Sequence, residues 1–506
     1  MYAFCLFMLF SLNSVAQVEL VKRIEIEEKD PGYKYSFFKH NDEAGFISYI
    51  SENKSEKTYT FHFDKVDNAF NKKKSVEISI PKSFDNHMYA SDTTKLYLLM
   101  YNFKKGKYDL RVLDKNKLEI VATYTGVFPK KAKLRNISAV NGKLVMVFGL
   151  KKFKETVMQI LDPVTGNTKM IVPPVADFKR SNYKAFSRID KGDTYELHLQ
   201  YEIKEEGKDY KYFIYRYDIN GDMIGSKPMV FSLNEGKEIS SIRFTRSGGN
   251  DGYLISGTYS SNGESTEGLF TGRVSENGVV EFMKLHNLLD LEHFTDFMSE
   301  RKQERIERRK EKAEARGKTL VYKGLATVHG FYYTNEKNYL VAEFYYPTYR
   351  TETYTVFVNG KATTQTRTVF DGYQYTHALV ASVTDEGNLE WTNIFEMWVA
   401  YKPYSVMQLI RKNATDDGVL ELSYANGSNM RFISFSEKGE TLREKEVVFI
   451  ETGKDDEVVK VSTQTNIQHW FDNYYVVNGY QKVKDNEREE GEKKRRKVYY
   501  FNLVKY

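Results

Sequence analysis

The chain has 506 residues, 41% hydrophobic and 15% aromatic, with 38 Tyr and 33 Phe, ample for a large core. Its formal net charge of +6 is too modest for this size to mark a nucleic-acid binder, and no long acidic or Gln/Ser tract marks extensive disorder. The sole cysteine, Cys5, lies in a segment that reads as cleaved; this excludes disulfides, thiolate catalysis and cysteine-ligated metal centres from the mature chain.

Met1–Ala16 is apolar from Tyr2 to Phe10 and closes with Ser14-Val15-Ala16 before Gln17. A short apolar run ending in small residues predicts a secretory signal peptide, although Lys and Arg are missing before the apolar core. No later run reaches the roughly 18 apolar residues of a membrane-spanning helix, so no transmembrane segment is expected after cleavage.

Beyond Gln17 one pattern recurs. Gly192–Pro228 shows it plainly: Thr194–Ile203 alternates as a strand, a charged turn follows, Tyr210–Tyr217 forms a second strand, and Asp218-Ile-Asn-Gly-Asp222 turns into a third. Strand formers broken by Asn-Gly or Asp-Gly turns are hairpin signals. The second strand of each unit falls at Phe46–Ser51, Leu96–Phe103, Leu144–Leu150, Tyr195–Ile203, Tyr253–Tyr259, Tyr339–Tyr346, Val419–Tyr424 and Tyr474–Gln481.

A four-stranded unit repeating about every 50 residues is the signature of a β-propeller, whose blades bury their faces only against neighbours. The expected fold is therefore all-β, a single β-propeller of about eight four-stranded blades over residues 17–506, with seven blades as the runner-up. Two β-sandwiches or a β-solenoid explain the period less well. The last unit supplies only three clear strands, and Val18–Glu27 is an orphan strand. It is predicted to complete the final blade and close the ring, removing an exposed sheet edge.

The repeat is interrupted in three places: a helical insertion at 285–317, an extra hairpin at 351–372 turned at Asn359-Gly360, and a charged loop at 482–497. Leu288, Leu291, Phe294 and Met298 recur at helical spacing, and the helix should end at Gly317. The stretch Arg301–Arg316 is mostly charged, a solvated projecting helix rather than a nucleic-acid site in an exported chain. Strands alternate direction, so loops from fourth strand to next first strand and from second to third strand emerge on one face. All three interruptions belong there.

Chemical signals are sparse. His286, Asp290 and His293 at i, i+4 and i+7 could hold a divalent ion on one helical face, but polar residues on a solvated helix face are the better explanation. The innermost strands are rich in Lys34, Lys39, Arg135, Lys184, Arg188, Arg243, Arg246, Arg411 and Lys412 and carry one acid, Asp85. A basic funnel would attract an anionic saccharide or acidic peptide. His87 and His329 begin comparable inner strands and are candidate general bases if they converge at the channel mouth. Tyr346 and Tyr349, just past a strand, are candidates for exposed stacking platforms. No Gly-x-Ser-x-Gly elbow, Walker loop or dinucleotide motif is present, so no cofactor is expected.

The Ser14-Val15-Ala16-Gln17 junction, followed by the repeat over 18–506, resembles exported β-propeller proteins of Bacteroidota, which implies a periplasmic or cell-surface location. The resemblance carries no catalytic residues. The expected function is a non-enzymatic cell-envelope binding or scaffold protein using the decorated face. The alternative is a hydrolase or lyase acting on an anionic saccharide or peptide at the channel mouth.

Overall fold

The computed structural model describes residues 18–506 except 28–34, 42–43, 151–154, 176–180, 191–193, 205–209, 234–235, 247–251, 262–264, 323, 335, 359–360, 416–417 and 486–494. Residues 1–17 with Cys5, Lys34, Asn359-Gly360 and residues 486–494 of the expected 482–497 loop therefore lie outside the described residues; 482–485 and 495–497 are not loop but continue the paired strands Tyr474–Asp485 and Arg495–Lys505.

The described residues fold into eight antiparallel sheets, seven of four strands and one of five. Second strands such as Lys95–Asn102 and Lys143–Leu150 are buried at every residue but the two ends, because both faces of each sheet meet a neighbour. That is why they read as continuous apolar runs. Fourth strands such as Glu119–Val127 are mostly exposed, with only alternate residues partly covered. The first strands of consecutive sheets lie beside one another, Asn86–Ser91 next to Lys133–Val140 and Ser181–Asp190 next to Glu238–Arg246. They form the inner wall.

Buried side chains fill the space between each pair of successive sheets. A further cluster couples the eighth sheet to the first: Trp470 is fully buried, with ring centroids 5.1 Å from Phe37 and 5.0 Å from Phe70. The blade architecture is that of a β-propeller. Neighbouring sheets also interlock through their turns. Gly439 has φ 85°, and a Cβ there would sit 2.6 Å from the Trp391 ring of the preceding sheet. Glycine is the residue that fits both constraints.

The strand Glu19–Glu27 pairs antiparallel with Arg495–Lys505, Ile24 opposite Phe501, so the last sheet runs from Glu457–Phe471 outward to the N-terminal strand. Arg23 donates to Glu25 at 2.6 Å and to Gln481 at 2.7 Å, and Arg496 bridges Glu25 and Glu457. Burial pushes the Glu25 carboxyl up, but the two guanidinium groups outweigh it and hold it below the usual range.

The insertion in the fifth-to-sixth connection differs from the predicted long helix. Leu288–Asp290 is a single 3-10 turn, further turns follow, and the α-helix occupies Glu300–Glu314 with no buried residue. His293 takes φ 62°, which interrupts the helical path. The apolar residues bury nonetheless. Leu288 and Phe294 are fully covered, with Phe294 packed edge-on against Tyr322, Phe344 and His377. Tertiary packing against the sixth sheet outweighs helical periodicity here. Among the described residues no helix is long and apolar enough to cross a membrane.

Candidate functional site

The extra hairpin is not a separate element. The second and third strands of the sixth sheet, Lys337–Val358 and Lys361–Val383, run 22 and 23 residues and stay paired to their ends. From Tyr349 opposite Phe370 to Val358 opposite Lys361, this ribbon stands clear of the other strands, extending roughly 30 Å at the usual rise per residue. Lys361–Thr368 are all exposed.

Strand alternation gives the ribbon two unlike faces. One carries Tyr349, Thr351, Thr353, Thr355 and Phe357, with Phe370, Thr368, Thr366, Thr364 and Ala362 opposite, and holds no charge. The other carries an ion-pair chain in which Glu352 accepts from Arg350 and Arg367, each at 2.8 Å. Tyr349 is 62% and Phe357 76% exposed, and Tyr346 is exposed as well.

The segment after strand Leu389–Glu396 shapes the site most. The sequence predicts an inner strand at Ser405–Lys412, but the first strand of the seventh sheet is only Arg411–Ala414. The reason is that side chains, not a strand ladder, take up the backbone donors. Leu409 N and Ile410 N donate to the Glu343 carboxylate at 2.9–3.0 Å, and Met407 N to the Tyr375 hydroxyl at 2.9 Å. Tyr373 N donates to Pro403 O, and Tyr404 packs its ring 5.9 Å from Phe370 at the foot of the ribbon. The segment is thus pinned to the base of the hairpin.

It also divides the space enclosed by the inner strands. Val406 lines a cavity of about 380 Å³ together with the inner strands of the fourth, fifth and sixth sheets. Its neighbour Met407, with Tyr401 and Leu409, lines a second of about 560 Å³ against the first and eighth sheets. Residues 397–410 therefore act as a plug across the inner space, on the same face as the ribbon and the helix.

Beneath the plug lies a buried charged cluster. Glu343, fully buried, accepts from His329 Nε2 at 2.6 Å as well as from the two plug amides. Lys412 Nζ donates to Gly330 O at 3.1 Å, and burial pulls its amine down to about 8. Burial also lowers His329, which keeps the imidazole neutral at pH 7 and donating to Glu343. His329 and Glu343 line neither cavity. With Glu343 holding two backbone amides, the pair fixes the plug.

His87 does not join it. It sits in the second sheet, packed edge-on against Phe61 and Tyr89. The convergence of His87 with His329 expected of an acid–base pair is not formed: each is held within its own sheet, His87 among these rings and His329 on Glu343.

Most of the inner-strand cations are spent on neighbouring backbone and rings. Arg135 stacks 4.4 Å above Tyr183, and Arg188 donates to Ala139 O at 2.6 Å. Arg411 reaches Ile467 O at 2.9 Å and Asn466 at 3.0 Å, tying the seventh sheet to the eighth, and Arg246 is exposed at a strand end. Lys184 is neutralised by Glu202 at 2.7 Å and Glu238 at 3.2 Å. Arg243 differs. It lines the 380 Å³ cavity, donates to Ile242 O in its own strand, and burial lowers its guanidinium with no charged group among the described residues opposing.

The three residues at metal-like spacing are not brought together. His286 lies on a strand, bonded to Thr271 Oγ1 at 2.9 Å, while Asp290 pairs with Lys310 and His293 with Asp296. The spacing assumed a helix that does not form there. No cluster of three metal-ligating side chains occurs among the described residues.

The anchor Glu343 was missed in the sequence, yet it left a signal. It is the only charge in Tyr339–Tyr346, otherwise an apolar run. A lone carboxylate in a strand buried on both faces requires several donors.

No family model matches the chain, and no curated protein matches it. Among solved structures it is similar to dihydro-heme d1 dehydrogenase NirN in complex with DHE, at 10% identity and TM-score 0.38, covering 85% of this chain and 79% of that one. It is also similar to the β-propeller domain of the Trilobed protease from Pyrococcus furiosus, at 12% identity and TM-score 0.35, covering 84% and 97%. A third similarity, to oligopeptidase B from Leishmania major, has 7% identity and TM-score 0.37 over 90% and 54%. At these scores they say nothing of what this chain binds or does.

Proposed function

We propose that the protein is a non-enzymatic binding or scaffold protein of the cell envelope, exported to the periplasm or cell surface, and that it engages a protein partner through the face bearing the ribbon, plug and helix. The carrying observation is the ribbon itself, a two-stranded arm with an uncharged face and exposed Tyr349 and Phe357. An isolated hairpin is marginal in water, and its foot is fixed by Tyr404 and Phe370. Aromatic groups on a rigid, protruding support are the usual anchors of protein interfaces. The engagement of His329 and Glu343 with the plug supports binding over catalysis at the channel mouth. We also infer that the pairing of Glu19–Glu27 with the last strand closes the ring, since it covers an edge that would otherwise invite aggregation.

The test is to replace residues 350–369 by a two-residue Asn-Gly turn joining Tyr349 to Phe370, which already face each other. Envelope proteins retained by the intact chain should be retained about tenfold less by the shortened one, with its melting temperature nearly unchanged. Equal retention of the same partners would overturn the proposal.

A further inference from the structure

The cavity beneath Val406 is a site in its own right, independent of what the ribbon engages. Its size of about 380 Å³ falls in the range of small-ligand pockets, about 300–1,000 Å³. It sits where the inner strands of the fourth, fifth and sixth sheets begin, so it opens toward the decorated face. Tyr345, at the root of the ribbon, and Val406, in the plug, both line it.

Its chemistry is lopsided. Tyr201, Ile214, Ile242, Leu325, Tyr345 and Val406 give it largely apolar walls. Two cations reach it. Lys184 is held between Glu202 and Glu238; Arg243 meets no carboxylate among the described residues. Strand alternation explains where Arg243 points. Ile242 and Phe244 join the core against the fourth sheet, which leaves Arg243 between them on the other face of Glu238–Arg246. Ser241 and Thr327 add hydroxyl groups to the same lining.

A guanidinium partly withdrawn from water with no carboxylate beside it among the described residues keeps its N–H donors open to an anion. A ligand carboxylate would accept from them, and a planar guanidinium is suited to receive it through two parallel N–H···O bonds. A single cation among apolar walls matches a monoanion with an apolar body and is poorly suited to a heavily hydrated dianion. We propose that this cavity binds a carboxylate carrying an apolar chain, its head group on Arg243 and its body against Ile214, Leu325 and Val406. A free alkanoic acid and a peptide ending in an apolar residue both present that chemistry.

Calorimetric titration of the full chain tests this with four probes: octanoate, octan-1-ol, a short peptide ending in a free Leu carboxylate, and the same peptide amidated. Octanoate or the free-acid peptide should bind at least about tenfold more tightly than its uncharged counterpart, the margin expected for hydrogen bonds to a charged group. Which of the two binds identifies the source of the carboxylate. In Arg243→Met that preference should vanish while the melting temperature stays close to that of the parent, since Arg243 is only partly buried. Val406→Trp, which leaves Arg243 in place and fills the cavity, should abolish binding of either acid. If neither acid binds, or if both variants bind as the parent does, the proposal fails.

Discussion

Replacing Glu343 with alanine is expected to cost about 3–5 kcal/mol of stability, the scale seen when one member of a buried charged network is removed. Its carboxylate satisfies Leu409 N, Ile410 N and His329 Nε2 at once. Its negative charge also offsets Arg411 and Lys412. Alanine would leave all three donors buried without an acceptor and two cations without a counter-charge. Glu343→Gln keeps one oxygen and should cost less, about 1–3 kcal/mol. The measurement is the urea midpoint, read with amide exchange across the plug. In Glu343→Ala the amides of Leu409 and Ile410 should exchange far faster than the second-strand amides of Leu96–Tyr101. A loss under about 1 kcal/mol, with those amides still protected, would contradict the anchoring role.

Acid should weaken the fold well before its carboxylates protonate. Burial pulls the His286 imidazole from 6.5 to about 4, assisted by Lys284, and pulls His377 to about 3. His377 is stacked between Phe297 at 3.6 Å and Phe344 at 4.6 Å, and its Nε2 is buried without a partner among the described residues. His329 shifts the same way. Each group has a lower pKa folded than unfolded, so between those values the unfolded chain binds more protons and stability falls with falling pH. The contribution is complete above about pH 6.5 and is lost on the way down, at up to about 1.4 kcal/mol per pH unit for each histidine. From pH 6.5 to 4.5, His286 and His377 together account for on the order of 4 kcal/mol. Carboxylates held low, such as Glu25 and Asp92, lose their share only below their ordinary values of 4.5 and 3.8. His377→Phe retains the stacking and removes one titrating group. Its urea midpoint should match the parent or exceed it at pH 7.5 and decline less steeply below pH 6.5. An identical pH profile would contradict this account.

The architecture was legible because a strand packed on both sides cannot hide its apolar run, and Leu96–Tyr101 and Leu144–Phe148 declare themselves. The N-terminal strand was legible for a different reason: an alternating segment with no sequential partner needs a distant one, and Arg495–Lys505 supplies it. The plug was not. Ser405–Ile410 holds enough strand formers, Val406 and Ile410 among them, to read as a strand, and the long-range acceptors Glu343 and Tyr375 divert its backbone. The helix was half legible. Its charged portion Glu300–Glu314 forms as its composition suggests, whereas Leu288–Met298 was misassigned because Phe294 finds a tighter environment against Phe344 and His377. With the helical frame gone, the spacing that suggested a metal site lost its meaning. Residue type put Arg243 among the inner cations, but only the geometry separates it from Arg135, Arg188 and Arg411, each committed to a neighbour.

Site-directed photo-crosslinking tests the proposed face most directly. Phe357→p-benzoylphenylalanine places a crosslinker on the uncharged side of the ribbon, and Val164→p-benzoylphenylalanine places it at an equally exposed apolar position, 68% accessible, on a third-to-fourth-strand turn of the opposite face. In intact cells the first should yield a discrete protein adduct, competed away by excess unlabelled chain and absent after shortening of 350–369; the second should yield none. Adducts of equal abundance from both positions, or from position 164 alone, would contradict the assignment of function to the ribbon-bearing face.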